Sequence, residues 1–273
     1  MTSYKPLLTK APAQLFQTNG KPAFGLFDRS VADFNLQDFI YQNLMDNKAG
    51  ALARYFNYKQ FQFICVTGSD WLLAVAIADI RYANSGFAYL YRFDTNQTVS
   101  KGVLLPGALG CQMSDSPSAG EAKQSFGAYK VAIKTSATNW QLKIDTKELK
   151  ANLTIEKAKQ MPLALCAPTG YNGFTYTEKS NALAVSGTLE LQGKTLDLTQ
   201  ALAGYDFSAG FMRRQTSWRW ASINAMVEGQ AFGLNMAAGV NETGLCENAL
   251  WFNGQIQHLS PATFGFDRKD DKK

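Results

Sequence analysis

Histidine is nearly missing from this chain: His258 is the only one in 273 residues. Zinc sites built on several imidazoles are thereby excluded. A Ser-His-Asp triad would have to run through His258, in QIQHLSPATF, and no GxSxG elbow accompanies it. Cysteine is also sparse. Cys65, Cys111, Cys166 and Cys246 form no CxxC pair, which removes metal clusters and redox motifs. Cys65 in QFICVTG and Cys246 in TGLCENA sit among apolar residues and read as buried free thiols. No stretch approaches about 18 uninterrupted apolar residues, so no membrane span is expected. The opening MTSYKPLLTKAPAQLF lacks both an apolar h-region and a small-residue cleavage site, and the expectation is a cytoplasmic protein.

Charge is low as well. Only 18% of residues are charged, below the usual quarter, and the net charge of +5 is mild for this length. With no basic block outside the solvated tail DRKDDKK, nucleic acid is not an expected partner. Neither GxGxxG nor a phosphate loop is present, so no cofactor is expected.

What the chain does have is apolar and aromatic content. Hydrophobic residues make up 46% and aromatics 12%, with 18 Phe and 11 Tyr, a composition that favours sheets. The first 34 residues are turn-rich, with Pro6, Pro12 and Pro22. From Asn35, the residues Leu36, Phe39, Ile40 and Leu44 suggest a short amphipathic helix or an irregular packed loop. Tyr58–Thr67, Trp71–Tyr82 and Gly86–Asp94 then read as a three-stranded meander. Leu105–Glu121 reads as a loop. Period-two alternation follows around Tyr129, Val131 and Ile133, around Trp140, Leu142 and Ile144, and around Leu153 and Ile155.

MPLALCAPTGYNGF interrupts that pattern and marks a division into units 1–165, with an irregular N-terminal arm, and 166–273. Beyond it, Leu183–Leu191, Trp218–Met226, Phe232–Gly239, Ala249–Phe252 and Gln255–Leu259 alternate again, joined by GK, EGQ, NET and NG turns. Strands about every ten residues with no alternating helices predict an all-β protein of antiparallel barrels or sandwiches with few helices. Fewer strands follow Pro168 than a closed second barrel normally uses.

Charged and polar groups crowd the apolar stretch from Tyr205 to Phe252, which makes it the candidate site. Asp206, Arg213, Arg214, Trp218 and Arg219 read in two ways. They form either a polar cluster that binds a ligand's head at a barrel mouth, or a structural ion pair with Trp218 and Trp220 plugging the barrel end. Asn235, Glu242, Glu247 and Asn248 form a second set. Glu247, buried in apolar surroundings, would be a raised-pKa proton donor, or else would satisfy backbone groups beside the NET turn. Tyr176 and Lys179 in FTYTEKS are further pocket candidates. Asp79 reads as facing a cavity or capping the turn toward ANSG.

The order YNGFTYTEK, GYDFSAG, RRQTSWRWAS and FGLNMAAGVNETGLCENALWFNG resembles an uncharacterised bacterial family, domain of unknown function 2804. That family is distantly similar to carotenoid hydratase (hydroxyneurosporene synthase) and AttH-like proteins. The resemblance implies two consecutive lipocalin-like, or calycin-like, barrels, with terpenoid handling or cyclisation among relatives. Where the hydratase-like relatives carry an Asp-His-x-Trp-Gly motif, this chain keeps Asp206 but has Phe207, Ser208 and Ala209. The functional expectation is binding of a lipid- or isoprenoid-like hydrophobic molecule in a β-barrel cavity. Cofactor-independent hydration, isomerisation or cyclisation would use Glu247 or Asp206 as the acid. The alternative is a non-catalytic structural or partner-binding module.

Overall fold

The computed structural model describes residues 6–157, 160–239 and 245–266. Strands dominate. The N-terminal arm contributes β1 (Leu8–Thr9) and β2 (Gly25–Phe27). After α1 (Ala51–Asn57) comes a meander of β3 (Tyr58–Thr67), β4 (Trp71–Asp79), β5 (Ala83–Arg92) and β6 (Thr98–Pro106). A second meander holds β7 (Cys111–Met113), β8 (Gly120–Phe126), β9 (Tyr129–Thr135), β10 (Asn139–Asp145) and β11 (Leu149–Glu156). The chain returns through β12 (Leu163–Thr169), β13 (Gly173–Leu191), β14 (Lys194–Thr195) and β15 (Leu202–Phe211). Last come β16 (Arg219–Val227), β17 (Gln230–Ala238), β18 (Ala249–Phe252) and β19 (Gln255–His258). Among the described residues no helix is long and apolar enough to cross a membrane. The protein is all-β, as its composition and alternation predict.

One large sheet runs β6-β5-β4-β3-β15-β13-β11-β10-β9-β8-β7, and a small sheet runs β16-β17-β18-β19. The large sheet curls strongly, so that β4 and β6 approach β8 and β9. The curl is tied by Gln124 Nε2, which donates to Asn84 Oδ1 at 2.5 Å, from β8 to β5. Its concave face holds the main core, including Trp71, Tyr129, Trp140, Phe174, Tyr176, Tyr205 and Phe207. Part of the opposite face is covered by the small sheet, where Trp251 and Ala249 pack on Leu163, Leu165 and Leu26. Close approach at this seam depends on Gly233: a Cβ there would lie 2.6 Å from Asn181 Cβ and 2.9 Å from the Ala182 backbone nitrogen. Gly233→Ala should therefore cost about 1–3 kcal/mol in urea denaturation, because the obstacle includes backbone and cannot rotate away.

β13 is the strand on which the two meanders meet. Its first half pairs with β12 and β15, and its second half with β11, β14 and the start of β15. Ser180 opposes Tyr205 and Leu183 opposes Ala203, so β13 holds one extra residue there, with Ala182 at φ 58. A bulge of this kind switches the facing of every later side chain. Even positions such as Phe174 and Tyr176 face the concave core before it, and odd positions such as Leu183 and Leu189 face it afterwards.

Several local expectations change. Of the two readings after Asn35 the irregular packed segment holds, with only a 3-10 turn at Leu36–Asp38. Phe39 is buried while Ile40 and Leu44 are exposed, so no continuous apolar helical face exists to bury. Within MPLALCAPTG, Leu163–Thr169 is strand. Pro168 fits because β2 covers only Ala164, Leu165 and Cys166, leaving the proline on an open edge. Residues 165 and 166, where the sequence suggests a division, are neighbours within β12. The GK, EG and NG turns behave as read: Gln192-Gly193, Glu228-Gly229 and Asn253-Gly254 all have positive φ, as type I′ hairpins require. The NET turn, with Glu242, lies outside the described residues.

Candidate functional site

Apart from Tyr176, the sequence candidates separate into a buried cluster at the seam between the sheets and a solvent-exposed group. At the seam, Lys179 on β13 and Asp206 on β15 are register partners and point to the same side. The Lys179 ammonium bonds Asp206 Oδ2 and lies 3.3 Å from Glu247 Oε2. All three residues are buried. Burial alone would lower the Lys179 pKa, but the carboxylates of Asp206 and Glu247 outweigh it and hold the ammonium above its ordinary value. Ion-paired carboxylates accept hydrogen bonds and do not donate them.

The surrounding amides complete the network. Asn235 accepts from Trp220 Nε1 at 2.7 Å and donates to the Glu247 carbonyl at 2.5 Å. Asn248 accepts from the Ala237 amide at 2.8 Å and donates to the Ser260 carbonyl at 2.9 Å. Asn224 donates to Cys65 Sγ at 3.1 Å and accepts from the Ala182 amide at 2.8 Å, joining the small sheet to the bulge. Burial pushes the Cys65 thiol up to about 11, so it is an inert thiol. All four cysteines are free.

Arg213, Arg214 and Trp218 stand apart from this cluster. The two arginines help line a surface cleft of about 360 Å³ with Tyr41, Leu44 and Phe211. The Arg213 carbonyl accepts from Lys59 Nζ at 3.2 Å. The reading of Trp218 and Trp220 as core plugs is corrected. Trp218 precedes the strand and is 60% exposed, while Trp220 is 36% exposed, edge-on to Phe63 at 5.3 Å. The reason is topological: β16 is the outermost strand of the small sheet, and only one of its faces meets the large sheet. Trp218→Ala should change the urea midpoint by no more than about 0.5 kcal/mol equivalent. Asp79 caps its turn, accepting from the Arg81 amide at 2.7 Å.

Tyr176 belongs to neither group. It faces the concave side with Glu178, a residue that sequence reasoning passed over. The Tyr176 hydroxyl donates to Glu178 Oε2 at 3.0 Å and accepts from the Val31 amide at 3.3 Å. Burial raises the Glu178 pKa. Lys157, Tyr176 and Ser30 oppose that shift without cancelling it. Beside this acid, Trp140 and Tyr205 stack at 4.3 Å, and Lys157 Nζ sits 4.7 Å from the Trp140 ring centre. The Tyr205 hydroxyl and Trp140 Nε1 lie near each other and Thr135 without reaching hydrogen-bond geometry. The signal for Glu178 was available: it shares strand parity with Tyr176, two residues away.

The sequence profile of the domain of unknown function DUF2804 matches residues 7–273. The chain belongs to this family. None of the curated proteins matches it. Among solved structures, this DUF2804 protein is similar to kievitone hydratase from Nectria haematococca, at 12% identity and a TM-score of 0.52. The match covers 72% of this chain and 62% of the hydratase, so the DUF2804 chain spans less than two thirds of that protein. An AttH-like protein from Nitrosomonas europaea matches at 10% identity and a TM-score of 0.47, over 74% of this chain and 68% of that one. The likeness to the hydratase establishes a shared fold.

Proposed function

We propose that this DUF2804 protein binds a hydrophobic small molecule, of lipid or isoprenoid type, against the concave face of the curled sheet. There it would modify the molecule by acid catalysis without a cofactor, in the cytoplasm. The observation that carries this reading is Glu178, a fully enclosed carboxylic acid that burial keeps toward its neutral form. A neutral acid in an apolar interior can protonate a carbon–carbon double bond. In hydration, the Glu178 proton forms a bond to one alkene carbon and the π pair leaves a cation on the other. Water then adds to the cation and its surplus proton returns to the Glu178 carboxylate, for a net gain of one water. Loss of a different proton from the cation gives isomerisation instead. The hydratase name of the similar structure supports this class of reaction.

The candidates Glu247 and Asp206 suit a different role. Joined to Lys179, they fix the small sheet to the large one, and we assign them to structure and not to proton donation. The test is native mass spectrometry of gently purified protein and its organic extract, followed by incubation with a panel of lipids and isoprenoid alkenes. A co-purifying hydrophobic molecule, or a product heavier by one water, supports the reading. A clean apo mass with no bound or altered panel member moves the protein to the structural or partner-binding class.

A further inference from the structure

Away from Glu178, the surface cleft of about 360 Å³ has a volume within the range of small-molecule pockets. Four segments wall it: the loop from Tyr41 to Ala49, α1, the 170–172 turn between β12 and β13, and the chain leaving β15 at Phe211. Hydrogen bonds tie the loop to the turn. Asn172 Nδ2 donates to the Asn43 carbonyl at 3.1 Å, and the Tyr171 hydroxyl donates to Asp46 Oδ1 at 3.1 Å. These bonds fix the shape of the cleft. Its enclosed part is aromatic, with the Tyr41 and Phe211 ring centres 4.4 Å apart and Phe211 buried. Leu44 and Tyr171, also in its lining, are 76% and 61% exposed, apolar surface that an occupant would cover.

The charge around the cleft is one-sided. Arg214 lines it, and Lys59 Nζ reaches the carbonyl of Arg213, on the same wall, at 3.2 Å. Neither Lys59 nor Arg214 forms an ion pair with a carboxylate among the described residues. Asp46, the acid on the loop, is engaged by Tyr171 and is not part of the lining. Partial burial and then the Arg214 charge lower the Lys59 pKa, as expected for two cations that lack a shared counter-charge. An anion placed here would relieve that repulsion and meet a guanidinium whose fork fits a carboxylate. Phosphate is less well served, because the loop offers little backbone cradle. The amides of Asn43, Met45, Asp46, Asn47 and Ala49 all donate within the loop.

We propose that this cleft binds a planar aromatic carboxylic acid, its rings covering Leu44 and Tyr171 and its carboxylate bonded to the Arg214 guanidinium beside Lys59. The site stands whether or not the concave face binds anything. The test titrates 2-naphthoate and its neutral isostere 2-naphthamide against the whole protein at pH 7, followed by ligand-observed NMR. The acid should bind about ten-fold tighter than the amide, and Arg214→Gln should erase most of that margin. Arg214 is exposed, so its replacement leaves the packing intact. Ala53→Phe, which fills the cleft from α1 without changing its charge, should abolish binding while circular dichroism stays native. Equal binding of acid and amide overturns the ligand class. Binding of 2-naphthoate that Arg214→Gln leaves unchanged places the acid elsewhere on the protein and overturns the site. No binding of 2-naphthoate up to about 5 mM, or binding of 2-naphthyl phosphate alone, overturns the proposal as well.

Discussion

Lys179→Met should destabilise the protein by about 3–5 kcal/mol, measured as the shift in urea unfolding at pH 7. The side chain keeps nearly the same length and apolar stem, so packing changes little and the loss reports charge. Without the ammonium, Asp206 and Glu247 face each other's charge within a seam where Lys179 is 5% exposed and Glu247 4%. Asp206 Oδ1 already lacks a hydrogen-bond partner among the described residues, which leaves that carboxylate little other compensation. The combined variant Lys179→Met, Asp206→Leu, Glu247→Leu should recover most of the loss, because an apolar seam of similar volume has no charge to compensate. A single-variant loss below about 1 kcal/mol would mean that water reaches the triad and the pairing is no stronger than a surface contact.

Glu178→Gln should reduce turnover of any alkene substrate by about 100- to 10,000-fold, with substrate binding changed far less. The amide keeps the shape of the neutral acid but has no proton to transfer. The same variant has a signature that needs no substrate. Because the folded pKa of Glu178 is raised above its ordinary 4.5, its favourable contribution is fully present below that value. The contribution is lost as pH rises through the folded pKa. Parent and Glu178→Gln should therefore be closest in stability near pH 4, with the variant gaining relative to the parent as pH rises toward 8. Unfolding curves at a series of pH values check this, and an unchanging difference would remove Glu178 as a group held toward neutrality.

Most of the sheet architecture was legible because alternation is a local property. The strands from Tyr129 to Glu156 and the three glycine hairpin turns needed only their own sequence. β15 was harder. Leu202–Phe211 is buried on both faces, so it shows no alternation, and its small residues Ala203, Gly204, Ala209 and Gly210 give little strand signal. The bulge at Ala182 was invisible for a related reason: a change of facing is defined by the partner strand.

The buried cluster at the seam was legible in part. Asp206, Lys179, Glu247, Asn235, Trp220 and Asn248 do converge, since charges and amides within apolar strands must find one another. Arg213, Arg214 and Trp218 were grouped with them only by closeness in sequence. Glu178 was passed over because it stands next to Lys179, and adjacent strand residues project to opposite sides. The two neighbours thus serve different faces of one sheet.

The position of β15 between β3 and β13 also sets an order of events during synthesis. Thr67 leaves the ribosome long before its partner Leu202, and every residue of β3 waits for a strand that has not yet been made. Until then the first meander carries a long apolar edge with unpaired amides and carbonyls. Pairing at such sequence distance is slow, so folding should be rate-limited by insertion of this one strand. Crowded expression would then favour edge-to-edge association of unfinished chains, and slower synthesis or a lower temperature would favour the native curl.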